Sequence, residues 1–97
     1  MEVTVTGDGA SDEIVLGEGD HVGCIEATTW DGASATLQET LGDSFVDSDD
    51  PYNTGNALTR TANGKLFRLT GGTRHRLNVS SFGSTVGLRL IINRAGS

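Results

Sequence analysis

Four aspartates, Asp43, Asp47, Asp49 and Asp50, crowd into a stretch that also carries the only proline, Pro51, and the only tyrosine, Tyr52. Carboxylate oxygens are the ligands a calcium ion takes. The spacing is not that of an EF-hand, because Pro51 falls where the third ligand should be and no glycine follows it. A solvated acidic loop, or a contact for a basic neighbour, is the expected role. Two histidines, His21 and His75, stand far apart in the chain. No serine occupies a Gly-x-Ser-x-Gly elbow, so a Ser-His-Asp set could be assembled only in space. His75 is expected to pack on the apolar face of its strand and His21 to be exposed beside a turn. Gly17-x-Gly19-x-x-x-Gly23 is one residue too long for a dinucleotide loop and precedes no helix whose N-terminus could hold a pyrophosphate. Asn78-Val79-Ser80 fits a glycosylation sequon, which matters only in an exported chain. Cys24 is the single cysteine. It permits neither an intrachain disulfide nor a thiolate cluster, and the expectation is a small buried apolar residue. These readings predict no catalytic residue, no metal and no cofactor, and therefore a protein that is not an enzyme.

The elements that would position these groups read as strands. Lys65 to Val79 gives the clearest signal: Phe67 and Leu69 alternate with Leu66, Arg68 and Thr70, Gly71-Gly72 turns the chain, and His75, Leu77 and Val79 alternate with Arg74, Arg76 and Asn78. The pattern predicts a central hairpin with one apolar and one basic face. Val3 and Val5 mark a first strand within Met1 to Thr6, Ile14 and Leu16 a second, and His21 to Thr28 a third. In the third, either Val22 and Cys24 or Gly23, Ile25 and Ala27 could face inward. Asp31-Gly32 supplies a tight turn into a strand on Ala33, Ala35 and Leu37. From Glu39 to Gly55 periodicity fades, and Phe45 and Val46 are left to pin a surface loop as a short edge strand. A weak strand surrounds Ala57 and Leu58, and Asn63-Gly64 turns into the central pair. Val86, Leu88, Leu90 and Ile92 form the last strand, which Ile91 suggests is covered on both faces, before a polar tail from Asn93 to Ser97. No window has a helical period. The expectation is an all-β chain, one domain over residues 1–97, folded as a small antiparallel β-sandwich, jelly-roll-like or Ig-like, with seven to nine short strands.

Charge is segregated along the chain. All 13 acidic residues lie between Glu2 and Asp50 and all 7 basic ones between Arg60 and Arg94, for a net charge of -6. Either strands of the two halves interleave and the charges meet across them, or the molecule has an acidic and a basic face that favours contact between copies. The net charge and the lack of exposed aromatics interleaved with the basic residues argue against nucleic-acid binding. No stretch approaches the roughly 20 apolar residues that span a bilayer, and Met1-Glu2 opens no signal peptide. Synthesis in a cytoplasm, without membrane insertion, is expected. With five aromatic residues and one methionine, the core must be built from Val, Leu and Ile around a few phenylalanines, leaving little margin of stability.

At Trp30-Asp31-Gly32-Ala33-x-x-Thr36-Leu37-Gln38, followed about thirty positions later by Gly64-Lys65-Leu66-Phe67-Arg68-Leu69, the chain resembles small β-sandwich virion proteins of tailed bacteriophages. The resemblance covers roughly Thr28 to Ile92. Phe67 stands where a tyrosine is more usual, and the acidic loop after Gly42 has no counterpart in the pattern. What the resemblance implies is a structural virion protein, a head decoration or cement protein made in the host cytoplasm that binds the outside of the major capsid protein, commonly as a homotrimer. The residues assigned to partner contact are Asp47, Asp49, Asp50 and Tyr52 in the acidic loop and the arginines Arg60, Arg68, Arg74 and Arg76. Val3 and Val5 are assigned through a first strand that could extend a neighbour's sheet. A head fibre, tail or baseplate component would use the same sandwich. A small carbohydrate-binding module would need Trp30 and Tyr52 as platforms on one face.

Overall fold

A computed structural model describes residues 1–95. These residues contain no helix and form ten strands: β1 (Glu2–Thr4), β2 (Gly9–Ala10), β3 (Ile14–Val15), β4 (Asp20–Glu26), β5 (Ser34–Leu41), β6 (Ser44–Asp47), β7 (Thr59–Arg60), β8 (Phe67–Thr70), β9 (Arg74–Ser80) and β10 (Arg89–Arg94). Two antiparallel sheets result. The first has the order β1-β10-β4-β8; the second has β2-β9-β5-β6, with β3 also on β9 and β7 also on β5. Because β2 and β3 share one edge of β9, and β6 and β7 share the far edge of β5, each sheet has four strand positions. The chain's first position pairs with its last, the second with the seventh, the third with the sixth and the fourth with the fifth. That is a two-stranded ribbon rolled over on itself, the jelly-roll order. Of the two sandwich types expected, the Ig-like one is therefore excluded.

The Gly-Gly segment does not close a hairpin. β8 pairs with β4 in the first sheet, whereas β9 pairs with β5, β2 and β3 in the second. Residues 71–73 instead carry the chain from one sheet to the other. Residues 16–19 make the same crossing between β3 and β4, and the two segments run side by side: Gly71 N–H donates to Gly19 C=O (2.8 Å), Gly72 N–H to Leu16 C=O (3.1 Å) and Leu16 N–H to Thr73 C=O (3.1 Å). A two-stranded ribbon bends here. Backbone packs on backbone so closely that a Cβ on Gly71 would stand 1.8 Å from the Gly17 carbonyl oxygen. Local alternation looks the same in an arch and in a hairpin, since both bury Phe67, Leu69, His75, Leu77 and Val79. Only the partner strands differ.

Alternation elsewhere builds the core as period 2 requires. One cluster joins the sheets, with Phe67, Ile25, Leu37, Leu58, Leu77, Leu88, Leu90 and Ile92 almost wholly buried and Trp30 and Phe82 packed against it. Burying each such large side chain contributes about 1.5–3 kcal/mol before chain entropy is charged against it. In β4 the inward register is His21, Gly23, Ile25 and Ala27, so Val22 and Cys24 face out. Phe67 decides this. It lies opposite Gly23, and its ring covers the space a Cβ would need, 2.5 Å from Cε2. His21 is thus buried, 3% exposed, correcting the expectation of an exposed turn residue. Cys24 is only half-buried on the outer face, correcting the expectation of a core residue. The final strand starts at Arg89, not Val86, and runs through Arg94, so Asn93 and Arg94 are paired and not tail; Gly96 and Ser97 lie outside the described residues.

The turn expected at Asp31-Gly32 and the edge strand expected at Phe45 and Val46 both form. Asp31 and Gly32 both take positive φ (46° and 79°) and Ala33 N–H donates to Trp30 C=O at 2.8 Å, the geometry for which Asp-Gly is selected. Phe45 and Val46 do form an edge strand, because a tight turn after Leu41 folds β6 directly onto β5. Side chains clasp the other ribbon corners: Asn63 Oδ1 accepts from Ala27 N–H and from the Trp30 indole, both at 2.8 Å, and Asp8 accepts from Phe82 N–H at 2.8 Å.

Candidate functional site

The outer face of the first sheet carries an apolar centre with charges around it. Ile91 lies beside Cys24, and Asn93, Val22 and Arg68 follow as the next row, so Ile91, Cys24 and Val22 form a half-buried stripe. Leu66 precedes β8 out of phase with Phe67 and Leu69 and is left 59% exposed. Tyr52 reaches it from the acidic loop: its hydroxyl donates to Leu66 C=O at 2.8 Å, and the ring remains 60% exposed. The loop is held in place by the Asp50 carboxylate, which accepts from Tyr52 N–H (2.9 Å) and pairs with Arg60 at 3.3 Å. Lys65 Nζ sits 4.9 Å from the Tyr52 ring centroid. Val22, Pro51, Tyr52, Leu66, Phe67 and Arg68 enclose an open hollow of about 370 Å³. Along the other side Arg89 bridges Glu26 (2.5 Å) and Glu2 (4.0 Å). An apolar centre with an aromatic anchor and a charged rim has the anatomy of a protein-docking surface.

A second, polar hollow of about 240 Å³ opens beside the first, between β8 and the β5–β6 side of the other sheet. Arg68 lines both. Its guanidinium has no carboxylate partner among the described residues. Glu39, Asp49 and Thr73 stand around this hollow, with His75, Leu58 and Leu69 as its buried lining. Ser48 also lines it; the residue is 4% exposed and its hydroxyl has no hydrogen-bond partner. A buried hydroxyl left unmatched costs roughly 1–3 kcal/mol, which marks Ser48 as a site where packing alone is not optimised. Burial pushes the His75 imidazole below its ordinary pKa; Glu39 opposes that shift and His21 reinforces it. The imidazole is thereby held neutral.

The residues expected at partner contacts divide accordingly. Asp49, Tyr52 and Arg68 come together around the two hollows. Asp50 and Arg60 are spent on each other, with side chains only 12% and 13% exposed. Val3 and Val5 are core residues, so their side chains are withdrawn from any partner; β1 keeps only its free backbone edge. Arg74 and Arg76 lie on the outer face of the second sheet. Arg74 pairs with Glu13 (3.2 Å); Arg76 stacks on Phe45 (4.0 Å) and donates to Gln38 Oε1 (2.9 Å), while Gln38 donates to Asp47 (2.9 Å). The ribbon pairs early strands with late ones, so Asp50, Glu13, Glu2 and Glu26 of the acidic half meet Arg60, Arg74 and Arg89 of the basic half. The exposed pairs among these contribute about 0–1 kcal/mol each.

Among the described residues no three His, Cys, Asp or Glu side chains are grouped to hold a metal ion. The Cys24 thiol is raised above its ordinary pKa by burial and by Glu26, against Arg60 and Arg89, so it is a poor nucleophile. Trp30 has its indole N–H tied to Asn63 and its ring on the core, leaving Tyr52 as the exposed aromatic platform. No helix among the described residues is long and apolar enough to cross a membrane. Sequence reading did not assign Val22, Ile91 or Leu66 to a contact surface; Ile91 and Leu66 were apolar residues out of phase with their neighbours, whereas Val22 gave no such signal because the register of its strand was open. No family model, curated protein or solved structure matches the chain.

Proposed function

We propose that this chain is a structural virion protein of a tailed bacteriophage, a decoration or cement protein that binds the outside of the capsid shell. The observation that carries the reading is the outer face of the first sheet, where Tyr52 and Leu66 are exposed beside the Val22–Cys24–Ile91 stripe within a rim of charges. The exposed apolar side chains of that face are what a protein contact would bury. The resemblance through Trp30 to Gln38 and Gly64 to Leu69 supplies the virion context. In this reading the face seats on the major capsid protein across a joint between subunits, burying Tyr52 and Leu66 and pairing Arg68 and Lys65 with capsid carboxylates. Binding on both sides of the joint adds its free energy to the shell and resists internal pressure. A homotrimer would use the free edges of β1 and β8, the two ends of the first sheet.

The test is co-sedimentation of the purified chain with undecorated shells of the cognate major capsid protein, alongside light scattering of the free chain at low and high salt. Saturable binding that raises the shell's disruption temperature, and weakens at least tenfold in Leu66→Ser and Tyr52→Ala, is the expected result; tenfold corresponds to about 1.4 kcal/mol. Both positions are exposed, so the variants should fold. A chain that stays in the supernatant at every salt concentration overturns the assignment.

A further inference from the structure

We infer that the polar hollow between β8 and the β5–β6 side is a binding site for one neutral sugar ring. Its chemistry differs from that of the docking face and does not depend on the virion assignment. The buried lining is mixed, with Leu58 and Leu69 beside His75 and Ser48, and its apolar part suits the C–H face of a pyranose. Around it stand acceptors and donors together: the Glu39 and Asp49 carboxylates, the Arg68 guanidinium and the Thr73 hydroxyl. Carboxylates accept from sugar hydroxyls, a guanidinium donates to hydroxyl and ring oxygens, and a hydroxyl does either. Two carboxylates against one guanidinium disfavour an anionic ligand, and a cation alone would leave the Arg68 donors unmatched. With His75 held neutral, a neutral polyol is the class that satisfies the whole set. Ser48 adds an independent indication, because its unmatched buried hydroxyl belongs to the same wall. At about 240 Å³ the hollow is small for a drug-sized ligand and suits a single ring.

The site is tested by titrating the full isotope-labelled chain with glucose, galactose, mannose and N-acetylglucosamine, and separately with glycine and inorganic phosphate, following backbone amide shifts. The expected result is saturable change at Ser48, Asp49, Thr73 and His75 with at least one sugar, at millimolar affinity. Asp49→Asn and Glu39→Gln should each weaken it about fivefold or more, as for loss of a charged hydrogen-bond partner, without lowering the melting temperature. Tighter binding of the corresponding disaccharide marks a glycan chain end as the natural ligand, equal binding a free sugar; both support the site. Absence of a saturable change with every sugar up to about 50 mM, or saturation at these residues by glycine or phosphate instead, overturns it.

Discussion

Gly71→Ala tests the ribbon bend directly. A Cβ there would sit 1.8 Å from the Gly17 carbonyl oxygen and 2.8 Å from that of Gly19. Contact at about 3.5 Å or more is needed for attraction, so residues 16–19 and 71–73 must part. Parting them loses the Gly71–Gly19 and Gly72–Leu16 hydrogen bonds, about 1 kcal/mol each. Overpacking strain adds about 1–3 kcal/mol. The expected loss is therefore about 3–5 kcal/mol, a large share of the 5–15 kcal/mol typical of a small domain. In melting temperature that is roughly 15–30 °C. Gly72→Ala is the control: its φ is +88° but nothing lies within 4 Å of the added Cβ, so only conformational strain of about 1–2 kcal/mol applies. Urea unfolding followed by Trp30 fluorescence reads both, since that ring rests on the core. In a hairpin the two glycines would be equivalent turn residues. If Gly71→Ala costs no more than Gly72→Ala, the side-by-side crossing of the sheets is wrong.

Gly23→Ala would place a Cβ 2.5 Å from Phe67 Cε2, and displacing that ring should cost about 1–3 kcal/mol; an unchanged urea midpoint would contradict the β4 register. Stability should also fall on acidification below neutral. His75 titrates lower in the fold than in the unfolded chain because it is buried, so between the two pKa values the unfolded state binds more protons. Its contribution is fully present above the unfolded pKa and is lost as pH falls toward the folded one, at a slope of up to about 1.4 kcal/mol per pH unit. Urea midpoints across pH 7.5 to 5 for wild type and His75→Gln measure it; equal slopes in the two proteins would remove His75 as the cause.

What the sequence determined is local. Period-2 alternation placed Phe67, Leu69, Leu77, Val79, Leu88, Leu90 and Ile92 inside, Asp31-Gly32 made its turn, and the absence of helical spacing left only strands. Alternation could not choose the inward face of β4, because Val22 and Cys24 are as apolar as their alternates. Phe67, forty-four residues on from Gly23, made the choice by covering the one position without a Cβ. Nor could alternation distinguish a hairpin from an arch at Gly71, since both present the same faces and differ only in which strands they pair with. The hollows depend on the same long-range decisions. Tyr52 meets Leu66, and Arg68 faces both cavities, because rolling the ribbon brings the acidic loop beside β8. Strand formation is set by near neighbours along the chain, whereas sites at strand edges are set by pairing across it, and pairing is decided by the packing of the whole core.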